Sequence, residues 1–213
     1  PSTKNLIEKF TAKFKSASHI TYDSISESEA LDAFEERYGI RGLSNYDFSN
    51  TKLIVSIGAD FLGDWQGGGF DCSYTKGRIP DDGKMSRHIQ FESNMTLSGA
   101  NADLRVPLKI NEQKLVLIEI YKSLFGDNKV KLDSNLQLNE KLKNVVDTTI
   151  KDLKSAKSGA VVITGIQEKE FQLLALEINE KIKSIAFKPN ETILTRSSNN
   201  KAFDEMVIRM NEG

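Results

Sequence analysis

Few residues in this chain of 213 amino acids carry reactive chemistry, and the chain holds one cysteine, Cys72, and two histidines, His19 and His88. A thiol becomes a nucleophile when a base or a positive field lowers its pKa, and neither histidine has a sequence relation to Cys72, so an inert free thiol is expected. One thiol makes no internal disulfide and no four-cysteine zinc site, and an iron–sulfur cluster takes about four cysteines. The two histidines stand far apart without ligand spacing, so no metal site is predicted. His88, between Arg87 and the later Glu92, reads as a polar residue on a strand face rather than a general base. Asp60 could meet a ribose or a guanine edge, and its plainer reading is a carboxylate that caps the following loop. Trp65, the only tryptophan, stands beside three glycines as a stacking platform, a plug over a sheet end or an interface anchor, of which the interface is favoured. No nucleophile, base and orienting group come together, so no catalytic residue is assigned.

Several of these residues share one stretch, Lys52 to Gly69, KLIVSIGADFLGDWQGGG. Leu53, Ile54, Val55 and Ile57 form an apolar, partly β-branched run too short for an amphipathic helix, which predicts a strand buried on both faces. It stops at Gly58. Ligands of open α/β sheets sit beyond the carboxyl ends of the strands, so Gly58, Asp60, Gly63, Gly67 and Gly68 are the candidate cofactor-binding residues. Their spacing does not make the G-x-G-x-x-G pyrophosphate fingerprint, and no glycine-rich loop ends in Gly-Lys-Ser/Thr.

The elements that must position this stretch follow from periodicity. Helices are expected over Lys4 to Phe14 with Ser2 or Thr3 as cap, and over Ser26 to Tyr38 with Ser26 and Glu29 in a capping box and Gly39 as the stop. Others are Ile110 to Phe125 ended by Gly126, Gln137 to Ala156, Lys169 to Lys183, and Ala202 to Met210. Strands are expected at Ala17 to Tyr22, Leu53 to Ile57, Arg87 to Ser93, Ala160 to Thr164 between two glycines, and Ile185 to Phe187. On the third of these, His88, Gln90 and Glu92 face one side, Ile89 and Phe91 the other. Leu43 to Asn50 reads as a bridge. Asp71 to Lys84 reads as a surface loop with a turn at Pro80-Asp81-Asp82-Gly83, Met95 to Ala102 as a turn, Asp127 to Asn135 as a polar, mobile segment, and Pro189 to Asn200 as a loop. The alternation predicts an α/β fold, Rossmann-like and doubly wound, with a mostly parallel sheet and helices on both faces. Its first strand would precede Pro1, or a later strand must take that place. One domain over 1–213 is expected, with halves at 1–108 and 109–213.

Hydrophobic residues at 38%, charged residues at 28% and a net charge of -1 describe a globular chain with no electrostatic pull toward nucleic acid or an anionic membrane. No apolar run is long enough to span a bilayer, and no signal peptide is visible. The opening Pro-Ser-Thr, without a methionine, predicts a segment of a longer protein.

Several segments also resemble one family. They are Tyr22-Asp23-Ser24-Ile25, Tyr46-Asp47-Phe48 leading into Leu53 to Gly63, Met85-Ser86-Arg87 through Glu92-Ser93, Thr96 to Arg105, Val161 to Gly165, and Met210 to Gly213. Together they resemble the molybdopterin-oxidoreductase-like region of the iron–sulfur subunit of alternative complex III, the bacterial quinol:cytochrome c oxidoreductase. The resemblance spans nearly the whole chain, and Ala59-Asp60-Phe61-Leu62-Gly63 and Gly99-Ala100-Asn101-Ala102-Asp103 are its most specific pieces. It implies a scaffold domain of a respiratory electron-transport complex, without redox centres of its own, on the periplasmic side of the inner membrane. It further implies iron–sulfur clusters elsewhere in the parent, a lost molybdopterin, a vestigial site at the five candidate residues, and other domains and subunits as partners. The alternative is the cofactor-binding domain of a true molybdopterin guanine dinucleotide oxidoreductase.

Overall fold

The structure, a computed structural model, describes residues 2–14, 16–80, 83–126 and 138–212. The helices are α1 (Ser2–Thr11), α2 (Ser28–Tyr38), α3 (Asp71–Gly77), α4 (Leu97–Ala100), α5 (Ile110–Phe125), α6 (Glu140–Ala156), α7 (Lys169–Lys181) and α8 (Asn200–Glu212). The strands are β1 (Leu43–Tyr46), β2 (Leu53–Ile57), β3 (Arg87–Glu92), β4 (Leu104–Pro107), β5 (Ala160–Thr164) and β6 (Phe187–Ile193). The chain divides into two compact units: residues 29–196, which hold β1 to β6, and the terminal segments 1–28 and 197–213.

In the larger unit, β2, β3, β4 and β5 form an all-parallel sheet in the order β4-β3-β2-β5. All five residues of β2 are buried, as the apolar run predicts. Side chains alternate across the sheet. Leu53, Val55, Ile57, Ile89, Phe91 and Val162 face a core closed by α5 and α6. Ile54, Val161 and Ile163 face a second core of Phe34 from α2, Tyr74 from α3, and the aromatic rings of Phe48, Phe61, Trp65 and Phe70. The fold is therefore α/β, with a parallel sheet flanked by helices. A later strand, β5, takes the place beside β2 left open in the sequence reading. The chain steps from β2 to β3 to β4 in one direction, then crosses back through α5 and α6 to β5 on the far side of β2.

Local signals account for the long elements. The Glu112 carboxylate reaches back to the Lys109 N–H at 2.9 Å to start α5, and Gly126, at φ +93°, ends it. The Asn139 side chain caps α6 by accepting from the Leu142 N–H at 2.9 Å.

Several short elements differ from the sequence reading. The loop expected at Asp71 to Lys84 begins as helix α3, held by Tyr74, which is buried in the aromatic core. The turn at Met95 to Ala102 contains α4, capped where the Thr96 hydroxyl accepts from the Gly99 N–H at 3.1 Å. The bridge at Leu43 carries β1, which pairs antiparallel with β6. β6 extends through Pro189 into the expected loop, and the irregular register between Leu43 and Asn45 accommodates a residue that cannot donate to a ladder. β4 was not expected, and Ala17 to Tyr22 forms no strand. The proposed mobile segment at Asp127 to Asn135 and the centre of the Pro80 to Gly83 turn lie outside the described residues.

In the smaller unit, Tyr22 stacks on Phe203 of α8 with ring centroids 4.2 Å apart, and the Asn199 N–H donates to the Thr21 carbonyl.

Candidate functional site at the strand ends

The direction reversal falls between the carboxyl ends of β2 and β5, where open α/β sheets place their ligands. Gly58 leaves β2 with φ +72°, a conformation costly for any side-chain-bearing residue. Its N–H donates to the Phe91 carbonyl at 2.7 Å. Across the gap, the Gly165 N–H donates to the Ile57 carbonyl at 2.9 Å. A Cβ on Gly165 would overlap the Gly58 carbonyl, so the two backbones meet only because Gly165 has no side chain.

The Asp60 carboxylate bonds a distant segment, not the loop that follows it. Its Oδ1 accepts from the Ser98 N–H at 2.9 Å, and its carbonyl accepts from the Gly63 N–H at 2.9 Å. The Leu62 N–H donates to the Ser98 hydroxyl at 2.9 Å. A Cβ on Gly63 would overlap the Asp60 carboxylate. The segments around Asp60 and Ser98 therefore interlock, carboxylate to backbone and backbone to hydroxyl.

Trp65 is packed inside the chain's own core, not presented to a partner. It is 8% exposed, its indole N–H donates to the Thr164 carbonyl at 3.0 Å, and its ring lies 5.5 Å from both Tyr46 and Phe70. It is the plug over the sheet end that the sequence offered as one of three roles. Gln66 and the three glycines after it all have positive φ. Gly67 lies under the Arg196 guanidinium, which pairs with Asp64 at 3.2 Å.

The polar face of β3 is interior. His88 and Gln90 are fully buried and Glu92 is 2% exposed. The Gln90 amide donates to the Ala59 carbonyl at 3.1 Å and to Glu92 at 3.3 Å. Its oxygen is therefore the acceptor facing His88 Nε2 at 3.0 Å, so Nε2 carries the proton. His88 Nδ1 then faces the Tyr74 hydroxyl at 3.2 Å. Burial pushes the imidazole pKa down to about 4, against the smaller upward pull of the Gln90 bond. Glu92 accepts from the Thr96 hydroxyl at 2.6 Å and from the Arg105 guanidinium. The Asp103 carboxyl would be raised by burial, but bonds from Arg78 and from the His88 N–H hold it below the usual range. These residues tie β3 to β4 and to the loop after β2, and His88, Gln90 and Glu92 are buried.

Cys72 is exposed on α3, and its thiol meets the Asp71 carboxylate at 3.8 Å. Among the described residues, no three of His, Cys, Asp and Glu gather as a metal site. No family model matches the chain, and no curated protein matches it.

Sequence reasoning missed two residues at the strand ends. Ser98 lies 38 positions from Asp60, and only its place in the Thr96 to Arg105 segment marked it. Gln113, in the first turns of α5, is 1% exposed. Its amide nitrogen donates to the Ser93 hydroxyl at 2.9 Å and the Leu108 carbonyl at 3.2 Å. Its oxygen lies 2.6 Å from where a Gly58 Cβ would stand and has no hydrogen-bond partner among the described residues.

Proposed function

We propose that this chain is a Rossmann-like, non-catalytic domain of the iron–sulfur subunit of a bacterial alternative complex III. Its task is to pack against other domains and subunits of a quinol-oxidising complex on the periplasmic side of the membrane. The observation that carries this reading is that the chain's own groups engage one another at the strand ends. The Gly58 carbonyl lies against Gly165, Asp60 is engaged by Ser98, and the Trp65 indole is bonded to Thr164. With Asp60 Oδ1 held by the Ser98 N–H and the Trp65 indole buried against Thr164, these groups are engaged within the chain rather than presented to a guanine dinucleotide. The interlock of Asp60 with Ser98 also gives a physical reason for the segments of strongest resemblance to occur together.

One observation favours the alternative, a true cofactor-binding domain. The Gln113 oxygen is buried and without a partner among the described residues, beside an exposed, left-handed Gly58. A ligand donor there would complete its hydrogen bonding, provided Asp60 parted from Ser98.

The two readings separate in the full subunit. After denaturation, its molybdenum and iron are assayed by elemental analysis and its pterin by fluorescence. The scaffold reading expects iron without molybdenum or pterin, and stoichiometric molybdenum or pterin would establish the alternative.

A further inference from the structure

In the terminal unit, α1 is an amphipathic helix whose apolar stripe is left in water. Leu6, Phe10 and Phe14 are 68%, 61% and 50% exposed, and none of residues 3–14 is buried. The Phe10 and Phe14 rings lie 4.9 Å apart, so the stripe continues from the helix into the turn after it. A contiguous apolar face of this kind marks an interaction surface. We propose that α1 lies flat on an anionic lipid surface, with the stripe from Leu6 to Phe14 against the acyl chains and its lysines at the headgroups.

Charge selects lipid as the occupant. Residues 2–14 carry Lys4, Lys9 and Lys13 against a single carboxylate, Glu8, so this helix is locally positive in a chain whose net charge is -1. The chain as a whole is not drawn to an anionic membrane, and the attraction belongs to this helix. At about 100° per residue, Leu6, Ile7 and Phe10 share one side, Lys9 and Lys13 run along one border of it, Lys4 lies beyond the other border, and Glu8 falls on the far side. Lysine is depleted at protein–protein interfaces, whereas a basic helix with Leu and Phe on its other face is the pattern of helices that lie in the headgroup region. There the lysine stems rest along the apolar surface while the amines reach the lipid phosphates.

α8, in the same unit, is the contrasting case. Its Ile208 and Met210 are exposed, but it carries Asp204, Glu205 and Glu212 against Lys201 and Arg209, a balance that anionic lipid does not attract. Its Phe203 is already stacked on Tyr22. With 10 residues, α1 is too short to cross a bilayer, which takes about 20, so it rests in the plane of the surface. The inference concerns the terminal unit alone and does not rest on the scaffold reading.

The test is flotation of the chain with vesicles of phosphatidylglycerol and phosphatidylcholine in equal parts, with pure phosphatidylcholine vesicles as control. Binding to the mixed vesicles is expected, at least about tenfold weaker on pure phosphatidylcholine and at least about tenfold weaker in the Lys9→Gln/Lys13→Gln variant, since each lysine near an anionic surface contributes roughly fivefold. Phe10→Ser/Phe14→Ser is expected to abolish binding with Tm unchanged, because neither ring is buried. Ile208→Ser/Met210→Ser on α8 is expected to leave binding as it was. The inference is overturned if the chain floats with neither vesicle at about 1 mM lipid, if both vesicles bind it equally, if either α1 variant binds as the parent does, or if the α8 variant loses binding. A fall in Tm with Phe10→Ser/Phe14→Ser would place the rings in a packed core and overturn it as well. So would a concentration-dependent dimer that this variant dissociates and vesicles do not, which would assign the face to a second copy of the chain.

Discussion

Gly165 meets the Gly58 backbone by lacking a side chain, so the smallest substitution there is diagnostic. Gly165→Ala forces its Cβ against the Gly58 carbonyl, backbone that cannot swing aside. Overpacking of this kind costs about 1–3 kcal/mol, and urea unfolding should show a midpoint lowered to match. An unchanged midpoint would mean that the two backbones do not meet in solution. His88 gives the second residue-scale test. Its imidazole pKa is about 4 in the fold and about 6.5 in the unfolded chain. Between those values the unfolded state binds more protons, so stability rises with pH. This contribution is complete above about pH 6.5 and is lost as pH falls toward about 4, amounting to about 3 kcal/mol. His88→Gln should flatten the fall in stability between pH 7 and pH 4, read from unfolding curves across that range. Parallel profiles for the two proteins would remove His88 as the cause. The sequence showed His88, Gln90 and Glu92 on one face of β3. It could not show that the face is interior, because the groups that satisfy it, Tyr74, Ala59 and Arg105, come from elsewhere in the fold.

At the scale of elements, the β5 edge shows how helix and sheet complete each other. Asn179 on α7 accepts from the Val162 N–H at 2.9 Å and donates to the Val162 carbonyl at 2.6 Å, acting as a one-residue strand along β5. Asn179→Ala leaves both backbone groups buried and unpaired, a loss of about 2–4 kcal/mol. Hydrogen exchange at the Val162 amide should speed up accordingly, and retained protection would assign that amide another partner. Elements with strong signals of their own were legible in the sequence. β2 and β5 are apolar runs set against glycines, and α5 is an apolar helix that ends at Gly126 as expected. α3, β4 and β6 were not, because each depends on a distant partner. Tyr74 must find the aromatic core, β4 must find β3, and β6 must find β1 across an irregular register. The position of the candidate site was legible as a glycine-ended central strand. Its internal bonding was not, since Asp60, Gly165 and Trp65 are engaged by residues 38, 107 and 99 positions away.

At the scale of the whole molecule, the parallel sheet has two ends of contrasting character. The carboxyl end, at the reversal between β2 and β5, is crowded by the Gly58–Gly165 backbone contact, the buried Trp65 and the Asp60–Ser98 bond, while Gly58 itself stays exposed. The amino end is an open cleft lined in part by Thr51 and Lys52. Among the described residues, no helix is long and apolar enough to cross a membrane. The central claim is that Gly58, Asp60, Gly63, Gly67 and Gly68 maintain the fold and hold no nucleotide. Titration of the chain with a guanine nucleotide, read at the amides of those five residues, tests it most directly. The account predicts no saturable shift at any of them up to about 1 mM nucleotide, with Asp60→Ala lowering stability alone. A saturable shift at these amides that Asp60→Ala abolishes would contradict it.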